Sequence, residues 1–316
     1  MTINQARLIS LVLLVLLAGI SMGVGVMDLS WSSPSGEGLF ALSRFPRTAA
    51  AILAGGSLAV GGVILQTLVH NRFVEPMTTG TGEGAALGIL LALVLLPEES
   101  LMLRLLFASV TALVANLGFL AMVRRLPPTQ PLMVPLVGIV YGGILGAIVT
   151  FFAYQYDLLQ YLGVWLNGDF SGILKGRYEL LWLAGALALL TYFIADRLAI
   201  VGLGDTISTG LGVSYHQVVM VGLVAISVVS AMTVVTVGMI PFIGLVVPNV
   251  ISRTLGDNLR RTLPVTALFG ANLVLACDIV ARLIRFPYEM PVGSVLGLLG
   301  ALVFLWILYH PRKRHA

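Results

Sequence analysis

Ten apolar stretches, each close to the length of a membrane-crossing helix and joined by short polar turns, dominate this chain. They fall near residues 8–27, 48–69, 79–96, 102–123, 131–153, 178–196, 217–237, 240–255, 263–283 and 291–309. About 20 apolar residues carry a helix across a bilayer, and no strand-like alternation runs through these lengths, which argues against an outer-membrane barrel. The first stretch follows Arg7, is too long for a signal-peptide core and lacks a small-x-small cleavage site, so it reads as a span. Pro241 and Pro248 punctuate the region 217–255 and make its division into two spans the least sharp. The expected fold is therefore all-α, one transmembrane domain of about ten helices over residues 1–316.

Composition agrees. Only 10% of the 316 residues are charged and 58% are hydrophobic, against roughly 25% charged in a soluble domain. Disorder, collagen, coiled coil and nucleic-acid binding are excluded together. The formal charge of +4 reflects arginines kept on one side of a membrane rather than a polyanionic partner. With an even number of spans both termini share a side. Eleven cations fall there, among them Arg7, Arg72, Arg124, Arg253, Arg260 and Arg261, against seven opposite, including Arg44, Arg47 and Arg282. The positive-inside rule makes the first side cytoplasmic. The loop Pro97-Glu98-Glu99 has no cation. Arginines left on the outer face are candidates for function.

Thirty-five glycines would weaken soluble helices but let helices approach closely in lipid. Gly80, Gly84 and Gly88, and likewise Gly138, Gly142 and Gly146, recur at every fourth position and are expected on one helix face each. Polar residues inside the spans are Gln66, Glu83, Asn116, Asn249, Asn272, Asp278 and Arg282. Such residues are costly in hydrocarbon and are either interhelical hydrogen bonds or functional groups. Asp278 and Arg282 are spaced for a local ion pair. Breaks at 70–84 and 238–250 resemble the interrupted helices that flank transport pathways.

Catalytic chemistry is absent from the letters. Cys277 is single, and His70, His216, His310 and His315 lack metal-ligand spacing. Lys175 and Lys313 close no phosphate-binding glycine loop. The chain reads as a conduit without an engine, driven either by an ion gradient or by a partner ATPase. An ion-driven secondary transporter of a small solute is the alternative, with Glu83 and Asp278 the carboxylates it would have to use.

Several motifs narrow the choice. Ser43-Arg44-Phe45-Pro46-Arg47-Thr48, Gly62-Val63-Ile64-Leu65-Gln66-Thr67-Leu68, Gly238 to Pro248, Asp278-Ile279-Val280-Ala281-Arg282 and Met290-Pro291-Val292-Gly293 stand in the order and spacing of one family. Together they resemble the FecCD family, permeases of bacterial ABC importers for iron-siderophores, haem and vitamin B12. The stretches Asn71 to Thr81, Trp165 to Phe170 and Lys175 to Leu180 are similar to the catecholate-type subgroup, which handles petrobactin, enterobactin, anguibactin and vibriobactin. Asn249 stands where much of the family has His, as in that subgroup, whereas Glu83 departs from the usual Ser or Asn.

The resemblance implies the vitamin B12/iron-siderophore importer permease fold and a non-enzymatic subunit of the bacterial inner membrane, with both termini cytoplasmic. It implies a second permease subunit, as a different chain, together with two cytoplasmic ATPase subunits that use the ATP, and a periplasmic siderophore-binding protein. No cofactor or metal is expected on this chain, and membrane lipid is its surround. Arg44, Arg47 and Arg282 are expected to dock the binding protein. Gln66, Thr67, Thr81 and Asn249 are expected along the pathway, with Glu83 at a cytoplasmic mouth or hydrogen-bonded and turned aside. The loop Val201 to Ser214 is expected to form two short amphipathic pieces that couple to the ATPase through Leu203, Gly204, Asp205, Ile207, Thr209, Gly210, Leu211 and Gly212.

Overall fold

The computed structural model describes residues 2–25, 40–96, 100–126 and 132–310. The Pro97-Glu98-Glu99 loop, the end of the first apolar stretch and the tail containing Arg312, Lys313, Arg314 and His315 lie outside the described residues. The described chain is helical, with no strand. In chain order the α-helices are α1 (Ile3–Gly23), α2 (Phe45–Val69), α3 (Thr81–Leu95), α4 (Leu101–Val123), α5 (Met133–Gln155), α6 (Leu159–Leu166) and α7 (Leu180–Phe193). They continue as α8 (Ala195–Val201), α9 (Asp205–Gly210), α10 (Tyr215–Thr236), α11 (Ile243–Leu255), α12 (Leu259–Leu283) and α13 (Val292–Tyr309).

Each of the ten apolar stretches carries a helix, but not all are full spans. Among the described residues seven helices are long and apolar enough to cross a membrane, and α7 with α8 makes an eighth, bent by 69°. The remaining two, α3 and α11, have only 15 and 13 residues. Their shortness has a local cause. Gly80 and Phe242, the residues before them, sit at φ +86° and +67°, a left-handed backbone that a right-handed helix cannot include. Irregular segments lead into both, and Pro76 and Pro241 withhold amide donors there. Gly80 thus lies before α3 rather than on its glycine face, which corrects the first expected ladder.

Local signals fix other ends. Thr2 and Gln5 form a reciprocal capping box on α1, and the Asn258 side chain accepts from the Arg261 amide to start α12. Helix α6 falls outside the ten expected apolar stretches.

Helix α2 is the axle. In it 78% of the apolar window is buried, against 17% in α1 and 22% in α5 and α13. An enclosed helix is apolar all round, whereas outer helices leave leucine and valine rows to lipid. Two glycine seams bring other backbones against α2. A Cβ on Gly55 would lie 2.5 Å from the Gly270 carbonyl oxygen of α12, and one on Gly62 would strike the backbone of Gly244 in α11. Gly84 and Gly88 similarly seat α3 on α4, where an added Cβ at Gly84 would meet Ala115 at 2.7 Å.

Candidate functional site

Three of the sequence motifs converge where α11 begins. Gln66, on the last turn of α2, donates through Nε2 to the Val74 and Gly244 carbonyls at 3.2 and 3.0 Å. Glu75, only 1% exposed, accepts the Phe242 amide at 2.7 Å through Oε1. A carboxylate from the 70–80 turn therefore serves the unsatisfied amides at the N-terminus of α11. Asn249, one and a half turns on, donates to the Arg72 and Leu245 carbonyls, both at 2.7 Å. The irregular backbone of both breaks is thus satisfied from side chains, as the membrane interior requires. A second tie joins the subgroup motif to the family motif: the Met239 amide donates to Trp165 O at 2.8 Å, the Asp169 amide to Val237 O at 2.9 Å and the Gly293 amide to Gly168 O at 2.9 Å.

Below this junction lies a cavity of about 470 Å³. Gln66, Thr67 and Asn249 line it from α2 and α11, and Gly202 and Leu203 close it from the turn after α8. Thr67 Oγ1 is spent on the Val63 carbonyl at 2.7 Å. Thr81 lies apart from these residues. It is fully buried and donates to Asn116 Oδ1 at 2.6 Å, while Asn116 Nδ2 donates to Ser227 Oγ at 2.8 Å. That closed chain joins α3, α4 and α10, and Thr81 does not line this cavity. Glu83 faces α5 instead: its Cδ lies 3.7 Å from a Cβ placed on Gly142. Its Oε2 has no hydrogen-bond partner among the described residues, and the side chain is turned aside from the cavity that Gln66, Thr67 and Asn249 line.

The coupling segment folds as one helix rather than two pieces. Gly204 and Gly212, at φ +102° and +77°, bracket α9. The Gly212 amide donates to Thr209 O at 3.0 Å and the Val213 amide to Ser208 O at 2.9 Å, the paired bonds of a left-handed helix stop. Residues 211–214 consequently turn instead of continuing. Ser208 is buried and donates to Gly204 O and Ile200 O at 2.6 and 3.0 Å, which pins α9 against α8. Asp205 accepts from Thr209 Oγ1 at 3.2 Å on the exposed face. Leu203, Ile207 and Leu211 are 58%, 50% and 61% exposed. Gly210 has open space around it.

At the other end of α2 the expected docking arginines are drawn inward. Asp278 is the centre. Arg47 donates to its Oδ1 through Nε and Nη2 at 3.2 and 2.8 Å, and to Glu289 Oε2 through Nη1 at 2.7 Å. Arg282 pairs with Asp278 Oδ2 at 2.8 Å, the expected local bridge. Its guanidinium also donates to the Ser21 and Val24 carbonyls at 3.0 and 2.9 Å, and Arg44 donates to Met22 O at 3.1 Å. These are last-turn and following carbonyls of α1, which have no amides of their own helix to receive. Two cations at that helix end are therefore structural. Arg282 is buried and the Arg47 side chain is 11% exposed. The role of Arg47 and Arg44 in closing this cluster was not evident from spacing, although the open C-terminus of α1 was a signal that donors were needed.

Comparison with known proteins agrees with this geometry. The profile of the FecCD transport family matches residues 8–310. A petrobactin import system permease of Bacillus subtilis is 42% identical, over 96% of this chain and 98% of its own. A ferric-anguibactin transport system permease of Vibrio anguillarum is 43% identical, over 86% of each chain. Among solved structures, a metal-chelate type ABC transporter in an inward-facing conformation superposes with a TM-score of 0.82 at 26% identity, covering 97% of this chain and 99% of that one. With the motif junction at α11, the axle α2 and a match along nearly its whole length, this multi-pass membrane protein belongs to the FecCD transport family.

Proposed function

We propose that the chain is the permease subunit of an ATP-driven importer that carries a ferric siderophore, of the catecholate type, across a bacterial inner membrane. The observation that carries the proposal is the cavity that joins Gln66, Thr67 and Asn249 to Leu203. It puts candidate pathway residues against the corner from which the apolar row Leu203, Ile207 and Leu211 projects. A row of that kind on a short, glycine-bracketed helix is suited to a cleft in another protein. The substrate class rests on the petrobactin and anguibactin permeases among its relatives.

In this reading both termini and the α8–α9 corner are cytoplasmic. Two ATPase subunits receive Leu203 to Gly212, with Gly204 and Gly212 setting the angle and Asp205 and Thr209 on the polar side. Nucleotide-driven closure pushes on α9, and the bend between α7 and α8 converts that push into helix tilting. A second permease, a different chain, completes the pathway. ATP is used by the partner alone, and this chain carries no cofactor. A periplasmic binding protein docks over the face that carries Arg47, while Arg44 and Arg282 act beneath it by holding the end of α1. Thr81 braces α3 rather than touching cargo.

The test is uptake in proteoliposomes containing both permeases, the ATPases and the loaded binding protein. Leu211→Asp should reduce ATP-dependent iron uptake at least about tenfold, since it places a charge in a desolvated contact, while the loaded binding protein still binds. Uptake that persists without ATP and follows an imposed ion gradient would overturn the proposal in favour of secondary transport.

A further inference from the structure

A second cavity, of about 390 Å³, lies on the outside of the axle, between α2, α7, α12 and α1. Its lining is almost wholly apolar. Ile52, Val60, Leu189, Leu263 and Ala267 are typical, and small residues, Gly56 and Gly185, open it. Ser57 offers no free donor, because its hydroxyl bonds Leu53 O at 2.6 Å within α2. From Ile52 to Val60 on α2, and from Leu263 to Ala271 on α12, the groove runs eight residues. At ~1.5 Å per residue that is about 12 Å, close to the hydrocarbon depth of one leaflet, roughly half of ~30 Å.

One end of the groove is charged. Tyr192 lines it there, and Arg260, in the first turn of α12, stands three residues before the lining residue Leu263. Arg260 also pairs with Asp196, both side chains being more than half exposed. Arg261 follows in the same first turn of α12, and its guanidinium has no hydrogen bond or ion pair among the described residues. Arg7, two turns before the groove residue Leu14 on α1, reaches across to donate to Arg261 O at 2.8 Å. The Nε of Arg7 is buried and has no hydrogen-bond partner among the described residues. Three guanidiniums against one carboxylate, at the mouth of an acyl-length apolar slot, match the two ends of one molecule.

We propose that this groove holds a single anionic phospholipid, with an acyl chain lying along Gly56 and Gly185 and the phosphate received by Arg7, Arg260 and Arg261. Basic pockets between transmembrane helices bind anionic headgroups through such charge-assisted hydrogen bonds. Tyr192 lines the groove at this end, a place that amphipathic aromatic residues favour at membrane interfaces. The lipid would fasten α7 to α12, which touch each other directly over little of their length.

The experiment is native mass spectrometry of the purified full-length chain, delipidated and exposed in turn to phosphatidylglycerol and phosphatidylcholine of equal chain length. Phosphatidylglycerol should be retained about tenfold better, given net attraction of about two charges at the surface. The triple variant R7Q/R260Q/R261Q should bring retention down to the phosphatidylcholine level. Ala188→Leu, which fills the groove without touching the arginines, should lower retention of both lipids, and Gly56→Leu provides a second way to fill it. Glycerophosphoglycerol, a headgroup without chains, should not compete at the same concentration. Equal retention of the two lipids, a preference that survives the triple variant, binding unaffected by filling the groove, or full competition by the chainless headgroup would each overturn the proposal.

Discussion

The two ends of α2 solve the same problem with opposite means. Arg47 and Gln66 stand nineteen residues apart, roughly 28 Å at ~1.5 Å per residue. At the Arg47 end, charges are enclosed: Asp278 is held by two arginines, one of which continues to Glu289. At the Gln66 end, neutral amides and a buried Glu75 satisfy irregular backbone. Removing a member of the first set leaves a buried charge without its counter-charge, which is expensive. Removing a neutral member of the second leaves a carbonyl beside a cavity, which costs far less. The first end is held by charge pairs, and the second mainly by hydrogen bonds from neutral side chains beside a cavity.

The largest expected effect is therefore at the charged end. Asp278→Asn leaves Arg47 and Arg282 without their shared anion and should destabilise the chain by about 3–5 kcal/mol, read as a lowered unfolding midpoint in detergent. An unchanged midpoint would remove the distinction between the two ends. Gln66→Leu should cost less, about 1–2 kcal/mol for two carbonyls that lose their donor, yet reduce uptake several-fold by altering the cavity wall. If it proves as destabilising as Asp278→Asn, the junction is as rigid as the cluster. The smallest effect is expected from Arg72→Gln. Its pair with Asp257 is about half exposed on both sides, so under about 1 kcal/mol is expected, falling further in high salt. A larger loss would mean that charge alone, rather than enclosure, does the locking.

Much of this was legible in the letters because lipid imposes simple rules. Ten apolar stretches predict ten helices, and the Asp278–Arg282 spacing predicts their bridge. The family resemblance was carried by motifs, and Gln66, Asn249 and Leu203 proved to share one cavity. What escaped was long-range. Nothing local to Arg47 announces Asp278, 231 residues away. The shortness of α3 and α11 depends on the backbone of Gly80 and Phe242, and Phe242 is not a residue that ordinarily signals a left-handed turn. Thr81 looked like a pathway residue because it is polar in a span, but its hydroxyl is consumed by Asn116. Polarity identifies residues that need partners without saying whether the partner is protein or cargo.

The glycine seams along α2 also restrict how such a chain can change over generations. Gly62 meets Gly244, and Gly55 meets Gly270, backbone to backbone. Gly62, Gly55 and Gly270 cannot acquire even a methyl group while the opposite backbone stays in place, whereas one on Gly244 would press on Pro76 and Gly62 at 3.1 and 3.2 Å. A first substitution therefore has no compensating second one short of moving a whole helix. Sequence drift is closed at Gly55, Gly62 and Gly270, narrow at Gly244, and open on the lipid-facing rows of α1, α5 and α13, where Leu, Val and Ile can replace one another. Two relatives could thus differ over most of their outer surface and still share the same axle.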